Sequence, residues 1–169
     1  MVIADSTRIA HWLDAMATDL EALLGDAVAD TRVVGIRTGG VTIAQQLHAR
    51  LGCTAPVGEL NITFYRDDFS RTGIHPHVGP SALPAGIDDQ TVLLVDDVLF
   101  SGRTIRAALN EVFDFGRPSR VVLAVLVSRP GRELPVQADV TGHRFDSAEA
   151  AHLKLSTDPL ALSQMNTRP

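Results

Sequence analysis

Apolar residues recur along the chain with two spacings, and together these predict alternating helices and strands. Apolar positions three or four residues apart predict amphipathic helices over residues 8–24, 41–51 and 105–115. Strands are predicted where apolar residues run together or alternate with polar ones, over residues 33–36, 57–64, 91–95 and 121–127. This order of elements is typical of an α/β domain with a central, mostly parallel β-sheet flanked by helices.

Two stretches of the chain lack such a pattern, residues 65–90 and residues 128–169. Residues 65–90 hold several glycines and prolines among few regularly spaced apolar positions. Because a loop this long inside a compact domain is usually functional or disordered, we predict a flexible active-site loop here, with a solvated mobile hairpin as the alternative. The lack of periodicity beyond Pro159 predicts a loose tail over residues 156–169.

Length and composition are those of one globular domain. The chain has 169 residues, of which 45% are hydrophobic, so we expect one domain over residues 1–169 with its core at about 28–127. No stretch approaches the roughly 20 apolar residues that span a membrane. Asp5, Arg8 and Asp14 lie where a signal peptide would be apolar, and we therefore expect a cytoplasmic protein.

The most informative segment is residues 92–104, where a buried strand leads through two carboxylates into the start of a helix. Parallel sheets bind ligands beyond the carboxyl ends of their strands, so Asp96 and Asp97 are placed to face hydroxyls or a metal. Residues 101–104 can offer amide N–H groups and hydroxyls at a helix N-terminus, which suits a phosphate. The segment therefore favours a site for a phosphorylated sugar. The alternatives are a solvated acidic turn with a helix cap, or the Asp-Asp strand end of receiver domains and nucleotide hydrolases.

This segment resembles the phosphoribosyl pyrophosphate (PRPP) motif of type I phosphoribosyltransferases, and most of all that of PyrR, the family of pyrimidine operon regulators and uracil phosphoribosyltransferases. Four further segments resemble that family in the same order, namely Gly35-Ile36-Arg37-Thr38, Phe64-Tyr65-Arg66-Asp67-Asp68, Phe115-Gly116-Arg117-Pro118-Ser119 and Arg132-Glu133-Leu134-Pro135. The resemblance covers roughly residues 15–140. It implies the type I phosphoribosyltransferase fold with a small C-terminal hood, which we place at residues 128–155.

The resemblance also implies roles for two loops. Asp96 and Asp97 are the expected catalytic carboxylates, which would hold the ribose hydroxyls and favour positive charge on the sugar. Residues 101–104 would anchor the 5′-phosphate. The expected PRPP-binding set is Asp96, Asp97, Val98, Leu99, Phe100, Ser101, Gly102, Arg103 and Thr104, together with a pyrophosphate loop of Arg37, Thr38, Gly39 and Gly40.

The sequence departs from the family at both ends of this site. Gly39 stands where the family usually has an arginine, so one cation near the leaving group is missing. Arg37 or an arginine of the long loop is expected to compensate, and Arg66 of that loop is a candidate catalytic residue. Arg129, at the start of the hood, is the expected base contact, although Ser128 replaces the family's acidic residue.

These roles predict a uracil phosphoribosyltransferase that converts uracil and PRPP to UMP and diphosphate. Mg²⁺ is the expected cofactor, held mainly by PRPP near Asp96 and Asp97 and not by a direct protein site, because this hard cation prefers oxygen ligands and substrate phosphates. The expected ligands are PRPP, uracil and UMP. The resemblance further implies a homodimer or homotetramer and a role in regulating pyrimidine biosynthesis genes.

Two regulatory alternatives would use the same pocket. One is an RNA-binding transcription attenuator that senses UMP or PRPP, and the other is a partner-dependent regulator with weak or no transferase activity. Thr7-Arg8-Ile9-Ala10-His11 reproduces an RNA-contacting stretch of the family, but it lies about eight residues too early relative to Gly35. The net charge of -5 also disfavours RNA as a partner, because nucleic-acid affinity rests largely on neutralising phosphates.

Overall fold

The structure is a computed structural model that describes residues 1–62, 80–146 and 152–165. Its helices are α1 (Ser6–Leu24), α2 (Gly39–Leu51) and α3 (Arg103–Phe115), with a 3-10 turn at Gly25–Ala27. Its strands are β1 (Val2–Ala4), β2 (Arg32–Ile36), β3 (Gly58–Leu60), β4 (Thr91–Leu99), β5 (Arg120–Ser128), β6 (Val140–Arg144), β7 (Leu153–Thr157) and β8 (Leu160–Gln164). Each of these helices of the described residues ends at the residue that the apolar pattern predicts and begins two residues before its predicted start.

Five strands form a parallel sheet in the order β3-β2-β4-β5-β6, which confirms the predicted central sheet. The predicted end of β4 at residue 95 is wrong, because Val98 still pairs with Val127 and Leu99 with Ser128. Asp96 and Asp97 therefore lie inside a strand and not in a turn after it. β3 is shorter than the predicted strand over residues 57–64, of which 63 and 64 lie outside the described residues.

A second, antiparallel sheet in the order β1-β8-β7 corrects the prediction for the end of the chain. The expected loose tail over residues 156–169 is wrong as far as Gln164, because β8 pairs with both β7 and β1. Leu162 is fully buried and packs in the core with α1 and α2. A five-residue strand with one buried leucine carries little periodicity, and its partner β1 lies at the other end of the chain. Local patterning therefore could not reveal this sheet.

The residues predicted as a hood, 128–155, are divided between the two sheets. β6 is the edge strand of the main sheet and runs parallel to β5, whereas β7 belongs to the second sheet. α1 packs against β6, and there Trp12 stacks on His143 with the ring centroids 4.7 Å apart. The second sheet also includes the N-terminal β1, whereas the sequence analysis predicted only a hood and a loose tail at the C-terminus, with no strand in either.

Apolar side chains pack on both faces of the main sheet. One cluster joins α1 and α2 to the sheet, with Leu13, Leu47, Leu93 and Leu126 among its members. The other joins α3 to the opposite face, with Leu94, Ile105, Val112 and Val125 among its members. Within the described ranges, no helix has the length and apolar character to cross a membrane. Sheets covered in this way bind ligands at the carboxyl ends of their strands.

Candidate active site

Two neighbouring carboxylates lie near the carboxyl end of β4. Asp96 is 5% exposed, and its Oδ1 accepts a hydrogen bond from the Asp97 amide at 2.9 Å. Asp97 is half-buried, and its Oδ1 accepts a hydrogen bond from the Val98 amide at 2.9 Å. The backbone thus orients both carboxylates, and Asp97 is the more accessible of the two.

Two glycines at the start of α2 lie directly against this part of β4. A Cβ atom on Gly39 would lie 2.2 Å from Oδ2 of Asp97, and one on Gly40 would lie 2.6 Å from the Val95 carbonyl oxygen. A side chain fits at neither position unless the loop or, at Gly39, the Asp97 side chain moves, so glycine lets the N-terminus of α2 approach the carboxylates. The change from the family's arginine to Gly39 therefore has two effects. It removes a positive charge, and it allows the loop to pack directly on Asp97.

The loop between β4 and α3 brings a second helix N-terminus to the same edge of the sheet. Oγ of Ser101 accepts a hydrogen bond from the Arg103 amide at 3.2 Å. Gly102 has a φ of 92°, a left-handed conformation that favours glycine. The first amides of a helix lack helical acceptors, and together with the helix dipole they can receive an anion. The β4 carboxylates therefore pack against the start of α2, and the chain leads from them within a few residues to the start of α3.

Residues 133 and 134 fasten the loop before α3. The Ser101 carbonyl oxygen accepts hydrogen bonds from the amides of Glu133 and Leu134, at 2.9 and 3.1 Å. The Glu133 carboxylate also forms an ion pair with Arg103, at 2.6 Å between Oε2 and Nε. The loop is thus held by contacts to both its backbone and a side chain.

Phe100, the residue before this loop, has contacts on its carbonyl oxygen and on its ring. Arg132 donates from Nη1 to the Phe100 carbonyl oxygen and from Nη2 to Oγ of Ser128, the latter at 3.1 Å. The guanidinium of Arg129 lies 3.9 Å from the centroid of the Phe100 ring, a cation–π contact. Burial lowers the pKa of Arg129 from its ordinary value. Ser128, which replaces the family's acidic residue, thus serves as an acceptor for Arg132.

Arg37 is the first residue after β2 and begins the predicted pyrophosphate loop. Its Nε atom donates to Oε2 of Glu59 on β3 at 3.0 Å, and its Nη2 atom forms an ion pair with the same oxygen at 2.9 Å. Its amide donates to the Leu60 carbonyl oxygen at 2.9 Å, which continues the pairing of β2 with β3. The peptide bond between Arg37 and Thr38 is cis. The base of the loop is therefore held by β3.

A cavity of about 550 Å³ lies between the predicted pyrophosphate loop and the second sheet. Its lining residues are Thr38, Gly39, Lys154, Leu155, Ser156, Thr157, Ser163 and Met165. Lys154 and Ser163 are cross-strand partners on β7 and β8. Sequence reasoning missed these residues because it predicted no strands there, although Lys154 is the only lysine of the chain.

Comparison with known proteins assigns the family. Residues 10–153 match the family described as the phosphoribosyl transferase domain. The bifunctional protein PyrR of Nitrosococcus oceani is 50% identical over 159 residues, which cover 89% of this chain and 90% of that protein. The bifunctional protein PyrR of Pseudomonas entomophila is 51% identical over 156 residues, which cover 91% of each chain. This chain belongs to the PyrR family of phosphoribosyltransferases.

Solved structures of low sequence identity share the fold of this PyrR-family chain. A hypoxanthine-guanine phosphoribosyltransferase from Bacillus anthracis has a TM-score of 0.68 at 13% identity, covering 86% of this chain and 82% of that one. A purine phosphoribosyltransferase from Pyrococcus horikoshii has a TM-score of 0.61 at 19% identity, covering 83% of this chain and 85% of that one. The predicted type I phosphoribosyltransferase fold is therefore confirmed.

We can now say where the structure places the residues predicted to bind PRPP, to contact the base and to act in catalysis. The β4 carboxylates, the loop before α2 and the loop before α3 lie at one edge of the sheet, and Arg129 lies beside them on Phe100. Leu99 is 2% exposed and packs in the core, so it can offer a ligand only its backbone. Arg66, the candidate catalytic residue of the long loop, lies outside the described residues.

Proposed function

We propose that this protein is a uracil phosphoribosyltransferase of the PyrR type, which converts uracil and PRPP to UMP and diphosphate. The observation that carries the proposal is the packing of Gly39 against Asp97. This contact places one candidate anion-binding loop beside the paired carboxylates. The chain then continues from the carboxylates into a second candidate anion-binding loop. PRPP carries a phosphate, two ribose hydroxyls and a pyrophosphate. A site for it therefore needs two anion receptors with hydroxyl acceptors between them.

In the proposed reaction, a ring nitrogen of uracil forms a bond to C1 of the ribose while the bond from C1 to the pyrophosphate oxygen breaks. The electron pair of the broken bond leaves with pyrophosphate, and the nitrogen releases its proton to solvent. Residues 101–104 bind the 5′-phosphate and residues 37–40 bind the pyrophosphate. Asp96 and Asp97 accept hydrogen bonds from the ribose hydroxyls and stabilise positive charge on the sugar, so catalysis rests on orientation and electrostatics.

We propose that Mg²⁺ binds together with PRPP. Asp96 and Asp97 provide hard oxygen donors suited to this cation. In the part of the chain that the structure describes, no group of three or more His, Cys, Asp or Glu side chains is arranged to hold a metal. Bound there, Mg²⁺ would neutralise charge on the leaving pyrophosphate. Asp96 and Asp97 are the residues that would contact it or its water ligands.

We also propose a regulatory role in pyrimidine gene expression, since the relatives are named bifunctional. An RNA attenuator that senses UMP or PRPP is the less favoured form of this role, because the net charge is -5. A gel shift with pyrimidine-operon leader RNA, with and without UMP, tests it, and tight UMP-enhanced binding would reverse this ranking. We further propose that residues 1–169 act as one phosphoribosyltransferase domain, in the cytoplasm and as a homodimer or homotetramer.

A panel assay tests the transferase activity. Purified protein is incubated with PRPP, Mg²⁺ and one of five bases, namely uracil, orotate, hypoxanthine, guanine or adenine, and the nucleotide product is measured by chromatography. We expect UMP from uracil and loss of activity when EDTA removes Mg²⁺. Turnover of a purine but not of uracil would refute the proposed base, and no turnover of any base would refute the transferase function.

Asp97→Asn tests the role of the carboxylate. The change keeps the size of the side chain and removes the charge that would face the ribose, so we expect kcat/KM for PRPP to fall about 10²- to 10³-fold. Asp114→Asn is the matched control, because Asp114 is exposed near the end of α3. Equal activity of the two variants would remove Asp97 from the proposed mechanism.

A further inference from the structure

The predicted pyrophosphate loop is tied to β3 by an ion pair between Arg37 and Glu59. Nε and Nη2 of Arg37 converge on one oxygen, Oε2 of Glu59, at 3.0 and 2.9 Å. Each side chain is 34% exposed, so the pair is partly shielded from solvent and is screened by salt less than a pair on the open surface. Because both nitrogen atoms lie close to the same oxygen, Glu59 faces the fork of the guanidinium, which restricts the rotation of this group more than a contact to one nitrogen would.

Glu59 is held firmly by its own backbone. It is paired with Gly35 in the parallel register of β2 and β3. On its other side, its amide and carbonyl form both hydrogen bonds of an antiparallel bridge with Ala82, at 2.7 and 2.8 Å. The carboxylate therefore projects from a backbone that has partners on both sides.

A second set of contacts fixes the same stretch of chain to α3. The backbone amide of Asn61 donates to Oγ of Ser81 at 2.8 Å, and the Ser81 hydroxyl donates to Oε1 of Glu111 on α3. α3 begins at the loop that carries the PRPP motif. The strand bearing Glu59 is thus fixed both to the sheet that holds one anion loop and to the helix that starts at the other.

We infer that Glu59 is a positioning residue, whose carboxylate holds the Arg37 guanidinium in the orientation that receives the pyrophosphate group. This inference rests on the proposed function. An oriented guanidinium loses less side-chain freedom when an anion binds, which favours binding. The negative charge of Glu59, taken alone, repels an anion and disfavours binding. Orientation and charge therefore act in opposite directions, and an experiment can separate them.

The experiment measures binding of inorganic pyrophosphate in the presence of Mg²⁺ by isothermal titration calorimetry. The proteins compared are wild type, Glu59→Ala, Glu59→Gln, Arg37→Ala and the double variant Arg37→Ala with Glu59→Ala. We expect Kd to rise about 10-fold in Arg37→Ala and about 5-fold in Glu59→Ala, the sizes typical of a charge-assisted contact and of a partly exposed ion pair. Glu59→Gln, which keeps one oxygen acceptor, should lie between wild type and Glu59→Ala.

The double variant decides between positioning and a general structural role. If Glu59 acts through Arg37, the double variant binds pyrophosphate like Arg37→Ala alone. If the two effects add in full, Glu59 supports the fold and not Arg37, and the inference is wrong. It is also wrong if Glu59→Ala or Glu59→Gln binds pyrophosphate more tightly than wild type, because charge repulsion would then dominate. Glu21→Ala on the exposed face of α1 is the control for removal of an acidic side chain.

Steady-state kinetics supplies a second readout. Loss of positioning should raise KM for PRPP in Glu59→Ala with little change in KM for the base, whereas a damaged fold would lower kcat and the melting temperature together. Failure of the proposed function looks different. Protein that turns over no base but keeps the coupling between Glu59 and Arg37 in pyrophosphate binding would refute the transferase and support the inference. Arg37→Ala that binds pyrophosphate like wild type would refute both the role of Arg37 and the inference.

Discussion

The two loops that meet the β4 carboxylates are held in different ways. The loop before α3 is fastened by polar contacts from residues 132–134, including hydrogen bonds to the carbonyl oxygens of Phe100 and Ser101. The loop before α2 has polar contacts to β3 at its base, through Arg37, but where it meets the carboxylates it is held by close packing, since Gly39 lies against Asp97 with no room for a Cβ atom. Polar contacts can be lost one at a time, whereas close packing does not tolerate one added atom. The first loop should therefore respond to mutation in small steps, and the second abruptly.

Among substitutions in or beside the two loops, Gly39→Ala should have the largest effect. The added methyl group would lie 2.2 Å from Oδ2 of Asp97, so either the loop or the carboxylate must move. Displacement of a catalytic group by about 1 Å can cost about 10²-fold, and we expect kcat/KM for PRPP to fall by this order. The measurement is steady-state kinetics, together with the melting temperature to show that the protein is folded.

Gly86→Ala is the matched control for this change. A Cβ atom on Gly86 has nothing within 4 Å, so the same substitution there should leave kcat/KM within about 2-fold of wild type. Activity of Gly39→Ala equal to that of the control would show that the loop before α2 adapts readily. The contrast between the two loops would then be wrong.

Arg132→Ala should have an intermediate effect. It removes the hydrogen bonds to the Phe100 carbonyl oxygen and to Oγ of Ser128. Two such charge-assisted bonds at a partly exposed site contribute about 1–2 kcal/mol, so we expect KM for PRPP to rise about 10-fold while kcat changes less.

Arg132→Lys tests whether the fork of the guanidinium matters at this position. A lysine ammonium has no fixed fork with which to reach both acceptors, so this variant should recover less than half of the lost affinity. Full recovery by lysine would mean that position 132 needs only a positive charge. The polar fastening of the loop would then be nonspecific.

Sequence patterning could predict β2 to β5 of the main sheet, because the apolar pattern of each is local, but it did not predict β6, which lies in the stretch predicted as a hood. The continuous apolar run of β4 and the helical spacing of α3 require only nearby residues, and the helices end where that spacing ends. The second sheet could not be predicted in this way. β1 and β8 are short, carry little periodicity and pair across almost the whole length of the chain.

The candidate site shows the same division. The motif predicts Asp96 and Asp97, because these two carboxylates and the phosphate-binding residues lie next to one another in the sequence. The packing of Gly39 against Asp97 and the pairing of Arg37 with Glu59 were not, because each joins residues distant in sequence. The sequence shows that Gly39 departs from the family pattern. Only the three-dimensional structure shows that a side chain at this position would clash with Asp97.

Glu133→Ala should have a smaller effect than Gly39→Ala or Arg132→Ala, because the ion pair with Arg103 is the most exposed fastening of the loop before α3. The two side chains are 51% and 53% exposed, so solvent and salt screen the pair and we expect it to contribute at most about 1 kcal/mol. The backbone amide of residue 133 still donates to Ser101 after the change. The melting temperature should fall by no more than about 3 °C and KM for PRPP should rise less than about 3-fold, both differences shrinking at about 0.5 M salt. A rise of about 10-fold or more in KM that persists at high salt would show that this one ion pair holds the loop. The loop before α3 would then respond abruptly even to the loss of its most exposed contact, and the proposed difference between the two loops would be wrong.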